Sequence, residues 1–451
     1  MTAQDSGSHP QPGGLHPTAK RRIGLIVAGS FATGLVVAVV LVVAPFTEAK
    51  QNVLTGMVLL AFALGWALLA VLSVRFSDQP QRWAAAPAVF FTLAGLISFI
   101  GSDNVNKVFG WVWPPVLLGL VVWMIIRARR QLHSRTRRWL LYPVLAALTL
   151  ASVGGSYQTV REAIDATVPM PGQLIDVGGH RLHLNCTGSG SPTVVLEPGH
   201  GEASSVMGWI APAVARDTRV CVYDRAGRGW SEPADGPMDG AQTAADLHTL
   251  LERAHVPGPY VLAGHSFGGL YVLTFAANYP DQVAGIVLLD STAPASAPGP
   301  PTKTGSYSLP GRISALLPAL AHLGVARLYA QFSYDTLPPR SRDEARARSG
   351  TANDVESYIN EFRQGATAVR QAASLVDFAG KPLIVITAGR GHDSVWLAAQ
   401  DKLATLSTNS RHRVVADATH ASLVLDETDA TAASQAIRDV VASVRTSRPL
   451  N

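Results

Sequence analysis

The stretch Gly264-His265-Ser266-Phe267-Gly268-Gly269 sets a single hydroxyl among small residues. A serine hydroxyl is a weak nucleophile at neutral pH and attacks a carbonyl only beside a base. The run before it, Tyr260–Ala263, is short and apolar, as a buried strand is, and a helical pattern follows over 267–279. A strand-to-helix reversal this sharp forces strained backbone on its central residue, and small neighbours allow it. The turn lifts the hydroxyl above the sheet, and the N-terminus of the next helix favours negative charge developing there. The chemistry this spacing points to is attack on an acyl carbonyl. A glycine-rich turn carrying an ordinary serine is the reading it must beat.

The elements that would hold such a serine are legible from about residue 170 onward. Leu174–Val177 and Arg181–Asn185, joined through Gly178-Gly179, read as a hairpin. Thr193–Leu196, Arg219–Tyr223, Tyr260–Ala263, Gly285–Leu289, Pro382–Thr387 and Arg413–Ala416 read as strands. Helical stretches near 206–215, 240–254, 267–279, 394–406 and 429–445 separate or follow them. That alternation predicts an α/β domain, a mostly parallel sheet with helices on both faces. His180 and His183, on the hairpin, read as surface residues.

Over roughly 170–451 the chain resembles the α/β-hydrolase superfamily. Leu196-Glu197-Pro198-Gly199-His200-Gly201 is similar to the family's oxyanion loop, with Pro198-Gly199 where His-Gly is usual. Tyr223-Asp224-Arg225-Ala226-Gly227-Arg228-Gly229-Trp230-Ser231 resembles its turn after strand four, and Gly264–Gly269 its nucleophile elbow. The resemblance implies an eight-stranded sheet, Ser266 as nucleophile and His420, in Asp417-Ala418-Thr419-His420, as base. It implies Asp393 after strand seven as the acid that orients the imidazole, with Asp290 at the end of strand six as its rival. The backbone N–H groups of Phe267 and His200 would form the oxyanion hole. His265 and His392 read as neighbours, Glu197 as a structural hydrogen-bonding group, and Asp224 and Arg225 as braces of their turn. Residues about 294–380, with helical patterns near 310–332 and 341–375, fit the lid that the family commonly inserts there. The resemblance also sets the strands of Cys186 and Cys221 side by side, which implies a disulfide; two buried thiols are the alternative. Neither cysteine belongs to a metal-binding pattern, and no metal or cofactor is expected.

The first part of the chain follows different rules. Five uncharged apolar runs, about 23–45, 53–74, 84–101, 108–126 and 139–156, approach the ~20 residues that a helix needs to cross a bilayer. They follow a Gly-, Pro- and Ser-rich tail over 1–22, and a linker over 157–170 leads to the hydrolase domain at 171–451. Pro87, Pro114 and Pro115 interrupt the third and fourth runs, and Trp111, Trp113 and Trp139 lie near run ends, where indoles favour the interface. Lys20, Arg21, Arg22, Arg75, Arg82, Arg127, Arg129, Arg130, Arg135, Arg137 and Arg138 fall on one side of the runs, against Lys50 and Lys107 on the other. Positive charge stays inside, so the expectation is a multi-pass cell-membrane protein with a cytoplasmic N-terminus and an extracytoplasmic hydrolase domain. The runs hold no ionisable residue for an ion path, and Ser73 and Ser98 read as helix-packing groups.

Function follows from the combination. The formal charge of +5 is explained by those loops, and no nucleic-acid fold accompanies it, so nucleic acid is not the expected partner. A small acyl ester, with lipid-like chains among the candidates, and membrane lipid are. The expected reaction is cleavage of an ester or related acyl bond through an acyl-enzyme. Acyl transfer to an alcohol and a non-catalytic binding module are the alternatives. Epoxide hydrolysis and dehalogenation are disfavoured, because those branches usually carry Asp at the elbow.

Overall fold

Residues 18–46, 50–77, 79–100, 103–131, 141–294 and 309–450 are described by a computed structural model. The chain forms two compact units, Met1–Ser156 and Tyr157–Asn451.

The first unit is helical: α1 (Thr18–Val43), α2 (Gln51–Phe76), α3 (Ala85–Ile100), α4 (Asp103–Gln131) and α5 (Tyr142–Asp165), whose last turns belong to the second unit. Small residues bring the first three together. A Cβ on Gly34 would stand 2.9 Å from the Ala61 carbonyl oxygen, and one on Gly56 would stand 2.9 Å from that of Gly95. Such close approach gains the van der Waals contact that associates helices in lipid. Ser98 returns its hydroxyl to the Ala94 carbonyl, and Ser73 bonds Ala70 O and accepts from the Gln81 amide at 2.8 Å. The outward side chains are apolar, with Leu25, Val36 and Val40 more than half exposed. Water does not suit that surface, and lipid does. Such a surface fits a membrane.

Among the described residues, four helices are long and apolar enough to cross: Ile23–Val43, Gln51–Phe76, Arg82–Ile100 and Val108–Gln131. The expected fifth span, 139–156, differs. Trp139 and Leu140 lie outside the described residues, and α5 begins at Tyr142 and runs on through Gln158, Arg161, Glu162 and Asp165. Its described apolar part is shorter and richer in Gly, Ser and Thr than the other four. Pro114 and Pro115 lie inside α4, which starts at Asp103. The Pro114 carbonyl takes the Ser152 hydroxyl at 2.6 Å. Of the basic residues used above, Arg135, Arg137 and Arg138 fall outside the described residues.

The second unit carries an eight-stranded sheet, in the order β1-β2-β4-β3-β5-β6-β7-β8. The strands are β1 (Gln173–Asp176), β2 (Arg181–Thr187), β3 (Thr193–Glu197), β4 (Val220–Tyr223), β5 (Tyr260–His265), β6 (Val283–Leu289), β7 (Leu383–Ala388) and β8 (Ser410–Val415). The first two form the hairpin and pair antiparallel; from β4 to β8 every neighbour is parallel. The inner strands are buried on both faces, which is why they read as unbroken apolar runs. β8 is an edge strand whose first residues, Ser410, Arg411 and His412, are polar, so its start lies upstream of the apolar signal at Arg413–Ala416. Cys186 and Cys221 face each other across β2 and β4 and form a disulfide, Cα atoms 4.0 Å apart.

Helices α6 (Ile210–Val214), α7 (Gly240–Arg253) and α8 (Gly268–Asn278) link the strands up to β6. Between β6 and β7 lies a helical lid: α9 (Leu309–Ser314), α10 (Leu317–Ala321), α11 (Val325–Gln331), α12 (Pro339–Arg348) and α13 (Ala352–Ala372). The start of the expected insertion, 295–308, lies outside the described residues. Within this unit, Arg327 of α11 is fully buried and pairs with Asp165 at the end of α5. The chain closes with α14 (Ser394–Ala404), α15 (Ser422–Leu425) and α16 (Glu427–Thr446).

Candidate active site

Ser266 sits between β5 and α8 with φ of 54°, a left-handed conformation that costs a non-glycine residue ~1–2 kcal/mol. The surroundings enforce it. Its N–H donates to Leu289 O and its carbonyl accepts from Thr292 N, each at 3.0 Å. Gly268 is required because a Cβ there would lie 2.5 Å from the Pro198 carbonyl oxygen, and a Cβ on Gly264 would lie 2.7 Å from the Gly268 backbone. The glycines of the motif thus let strand, elbow and oxyanion loop pack backbone to backbone.

His420 comes from the loop after β8. Its Nε2 lies 2.8 Å from Ser266 Oγ, and its Nδ1 lies 2.6 Å from Asp290 Oδ2. The carboxylate at the imidazole is that of Asp290, the rival acid; Asp393, the first choice, is not in contact with His420. Asp393 is the residue before α14, and its carboxylate accepts the free Trp396 N–H at 2.9 Å as a helix cap. Asp290 is fully buried at the end of β6, where Oδ1 also accepts from Trp396 Nε1 at 3.0 Å and Ala388 N at 3.2 Å. Its Oδ2 takes a second imidazole, His392 Nε2, at 2.6 Å. Burial alone would raise this carboxyl, but the bonds from His420, Trp396 and His392 outweigh it and hold Asp290 below its ordinary value. Among the described residues, Asp290, His392 and His420 offer three ligand atoms within 4.8 Å of one another, a group that could hold a metal ion. Two of those atoms already point their hydrogen bonds at the third.

The oxyanion loop is held at each residue flanking His200. Arg225 donates to Pro198 O at 2.9 Å and to Gly199 O at 2.7 Å. Glu202 accepts the Gly199 N–H at 2.7 Å and touches His265 Nδ1 at 3.1 Å, while His265 Nε2 reaches His420 O at 3.0 Å. Arg225, expected to brace its own turn, thus braces the Pro198-Gly199 pair. Among the described residues, neither the Phe267 nor the His200 backbone N–H donates to a protein acceptor. The His200 ring packs 4.3 Å from Tyr358 and 5.7 Å from Phe267. Burial, ahead of the pull from Glu361, leaves that imidazole below its ordinary value.

Behind the loop lies a buried charge network that sequence reasoning did not find. Glu197 bonds Tyr223 and, at 2.6 Å, Arg225; burial pushes its carboxyl up to about 7 against the pull of that guanidinium. Glu361 of α13 meets Arg225 at 3.0 Å and Arg228 at 3.4 Å, and their charges overcome burial to bring it to about 2. The hairpin histidines are also not the surface residues expected. His183 is wholly buried between Asp224, at 2.8 Å, and Pro171 O, and His180 stands 3.2 Å from Asp246. Burial would lower His183, but Asp224 outweighs it and raises it.

A serine, an imidazole and a buried carboxylate in this file, beside two undonated amides, can form and break an ester at the serine oxygen. Comparison with known proteins bears on the fold. Residues 192–427 match a family described as alpha/beta hydrolase fold. An uncharacterized Schizosaccharomyces pombe protein is 28% identical over 298 residues, 58% of this chain and 54% of that one. An uncharacterized vacuolar membrane protein of Saccharomyces cerevisiae is 28% identical over 130 residues, 25% of this chain and 20% of that one. The chain spans about half or less of the length of these relatives. The solved structure of a Pseudomonas putida N-formylmaleamic acid deformylase superposes with a TM-score of 0.44 and 21% identity, over 58% of this chain and 99% of that one.

Proposed function

Since the chain belongs to the α/β-hydrolase fold family, we propose that it is a membrane-anchored serine hydrolase that cleaves an ester or related acyl bond through an acyl-enzyme on Ser266. The observation that carries this reading is Ser266 Oγ 2.8 Å from His420 Nε2, with the other ring nitrogen 2.6 Å from Asp290. His420 Nε2 takes the hydroxyl proton as Oγ attacks the substrate carbonyl. The oxyanion of the tetrahedral intermediate accepts from the Phe267 and His200 amides. Collapse breaks the acyl–oxygen bond, and the leaving alcohol takes the proton back from His420. A water then gives its proton to the same nitrogen and attacks the ester; collapse breaks the acyl–Oγ bond, Oγ takes that proton back from His420, and the acid leaves. Asp290 stays ionised and steadies the imidazolium.

An apolar acyl group suits the approach. Phe362 and Tyr358, 74% and 48% exposed, stand with Phe267 around His200. A fluorophosphonate probe on the full chain tests the reading: labelling that disappears in Ser266→Ala supports it. A folded protein that is never labelled favours a binding module.

The hydrolase unit is proposed to lie outside the cytoplasm, with α5 as a fifth crossing. The Cys186–Cys221 disulfide supports this, because such bonds persist in oxidising compartments. Protease protection of oriented vesicles separates the two cases. Four crossings would leave the unit on the same side as the N-terminus.

A further inference from the structure

The lid helix α13 reaches the turn that carries one of the two oxyanion donors. Glu361, 1% exposed, accepts the Gly201 N–H at 3.0 Å through Oε2. Its Oε1 meets Arg225 Nε at 3.0 Å, and Arg225 turns its two other nitrogens onto Pro198 O and Gly199 O. One turn further back on α13, the Tyr358 carbonyl lies 3.1 Å from His200 Nε2. Asp354 bonds Arg228 at 2.5 Å, and Ser357 donates to Ala226 O at 2.9 Å. Every residue from Pro198 to Gly201 is therefore tied, directly or through Arg225, to a single lid helix.

We propose that Glu361 is a positioning residue: from the lid it fixes the His200 amide, so that the oxyanion hole is complete only while α13 is seated. The inference rests on the Ser266 reading and adds regulation to it. A substrate that wedges the lid aside would find the nucleophile present and the hole open on one side. Chemistry would wait until α13 returns. The electrostatics agree with a shared latch: Arg225 stands between Glu197 and Glu361, so removing the lid carboxylate leaves the guanidinium facing Glu197 alone.

The geometry also separates the two jobs of the carboxylate. Glu361→Gln keeps an oxygen for Gly201 N–H and drops the charge that holds Arg225. Glu361→Ala drops both. A displacement near 1 Å of a catalytic group costs ~10²-fold in rate, and the Ala variant is expected to lose that much kcat with KM little changed. The Gln variant should fall between. Affinity for a boronic acid, which forms a tetrahedral adduct at the serine, should fall in parallel with kcat.

The test uses the full chain in detergent, with fluorophosphonate labelling rates and ester turnover per titrated serine, beside thermal melting. Slower labelling and weaker boronate binding in folded variants support the proposal. Variants that melt earlier but label and turn over like wild type overturn it, and mean that Glu361 only stabilises. Should the Ala variant fail to fold, the Gln variant decides by the same measures. A wild-type protein that does not label at all sinks the Ser266 reading itself, a result distinct from equal rates.

Discussion

Asp290 and His392 share a hydrogen bond of 2.6 Å on the same carboxylate oxygen that His420 uses. The residue before Asp393 thus bonds the carboxylate that faces His420. Asp393 turns to cap α14, while His392 and Trp396, stacked 4.6 Å apart, wall Asp290 in.

The first prediction separates the two aspartates. Asp290→Asn should hold the fold and lower kcat by ~10⁴-fold, because the imidazole then takes the wrong tautomer. Asp393→Ala should cost about 1 kcal/mol of stability, the usual worth of a cap, and leave kcat unchanged. Steady-state kinetics with a chromogenic ester, beside chemical denaturation, reads both.

The elbow glycines give a second prediction. A methyl on Gly268 would meet the carbonyl oxygens of Pro198 and Glu197 at 2.5 and 2.6 Å, and backbone cannot step aside as a side-chain tip can. Gly268→Ala should therefore destabilise by about 1–3 kcal/mol and displace the oxyanion loop. Its labelling rate should drop even in the folded fraction. Labelling equal to wild type would contradict the packing described.

The elbow was legible because its rules are local: two glycines, a preceding apolar strand and a helix after it. The acid was not. Asp290 and Asp393 both follow strands, and only the rest of the fold shows that one is buried beside the nucleophile while the other faces a helix end. A signal was available in Leu288-Leu289-Asp290, since an acid ending an apolar strand next to β5 must be paired. His183 misled for a related reason: β2 is buried on consecutive residues, Leu182, His183 and Leu184, so alternation fails there. Glu361 left no trace in the pattern of α13, where it is one polar position among many.

Disulfide loss forms a third prediction. Closing a loop of 35 residues is worth about 4 kcal/mol in the chain-entropy account. Cys186→Ser with Cys221→Ser should lower unfolding stability by about 2–4 kcal/mol. Urea melts of the full chain with and without reductant should move together with the double variant.

A fourth concerns acid. Glu361 titrates near 2 in the folded protein, below its ordinary 4.5. A depressed carboxyl contributes stability that is present above pH 4.5 and is lost as pH falls toward 2. The shift corresponds to about 3 kcal/mol. Glu361→Gln should flatten that part of the stability–pH curve, read by denaturation at stepped pH. An unchanged slope would count against the pairing with Arg225 and Arg228.

The proposed reaction passes through a covalent ester on Ser266 Oγ. Rapid quenching of the full chain with an activated acyl ester, followed by peptide mass spectrometry, reads it directly. The account predicts an acyl mass on the peptide bearing Ser266, formed within one turnover and missing in Ser266→Ala. Turnover that proceeds with no such adduct, or an adduct that survives the substitution, would contradict it.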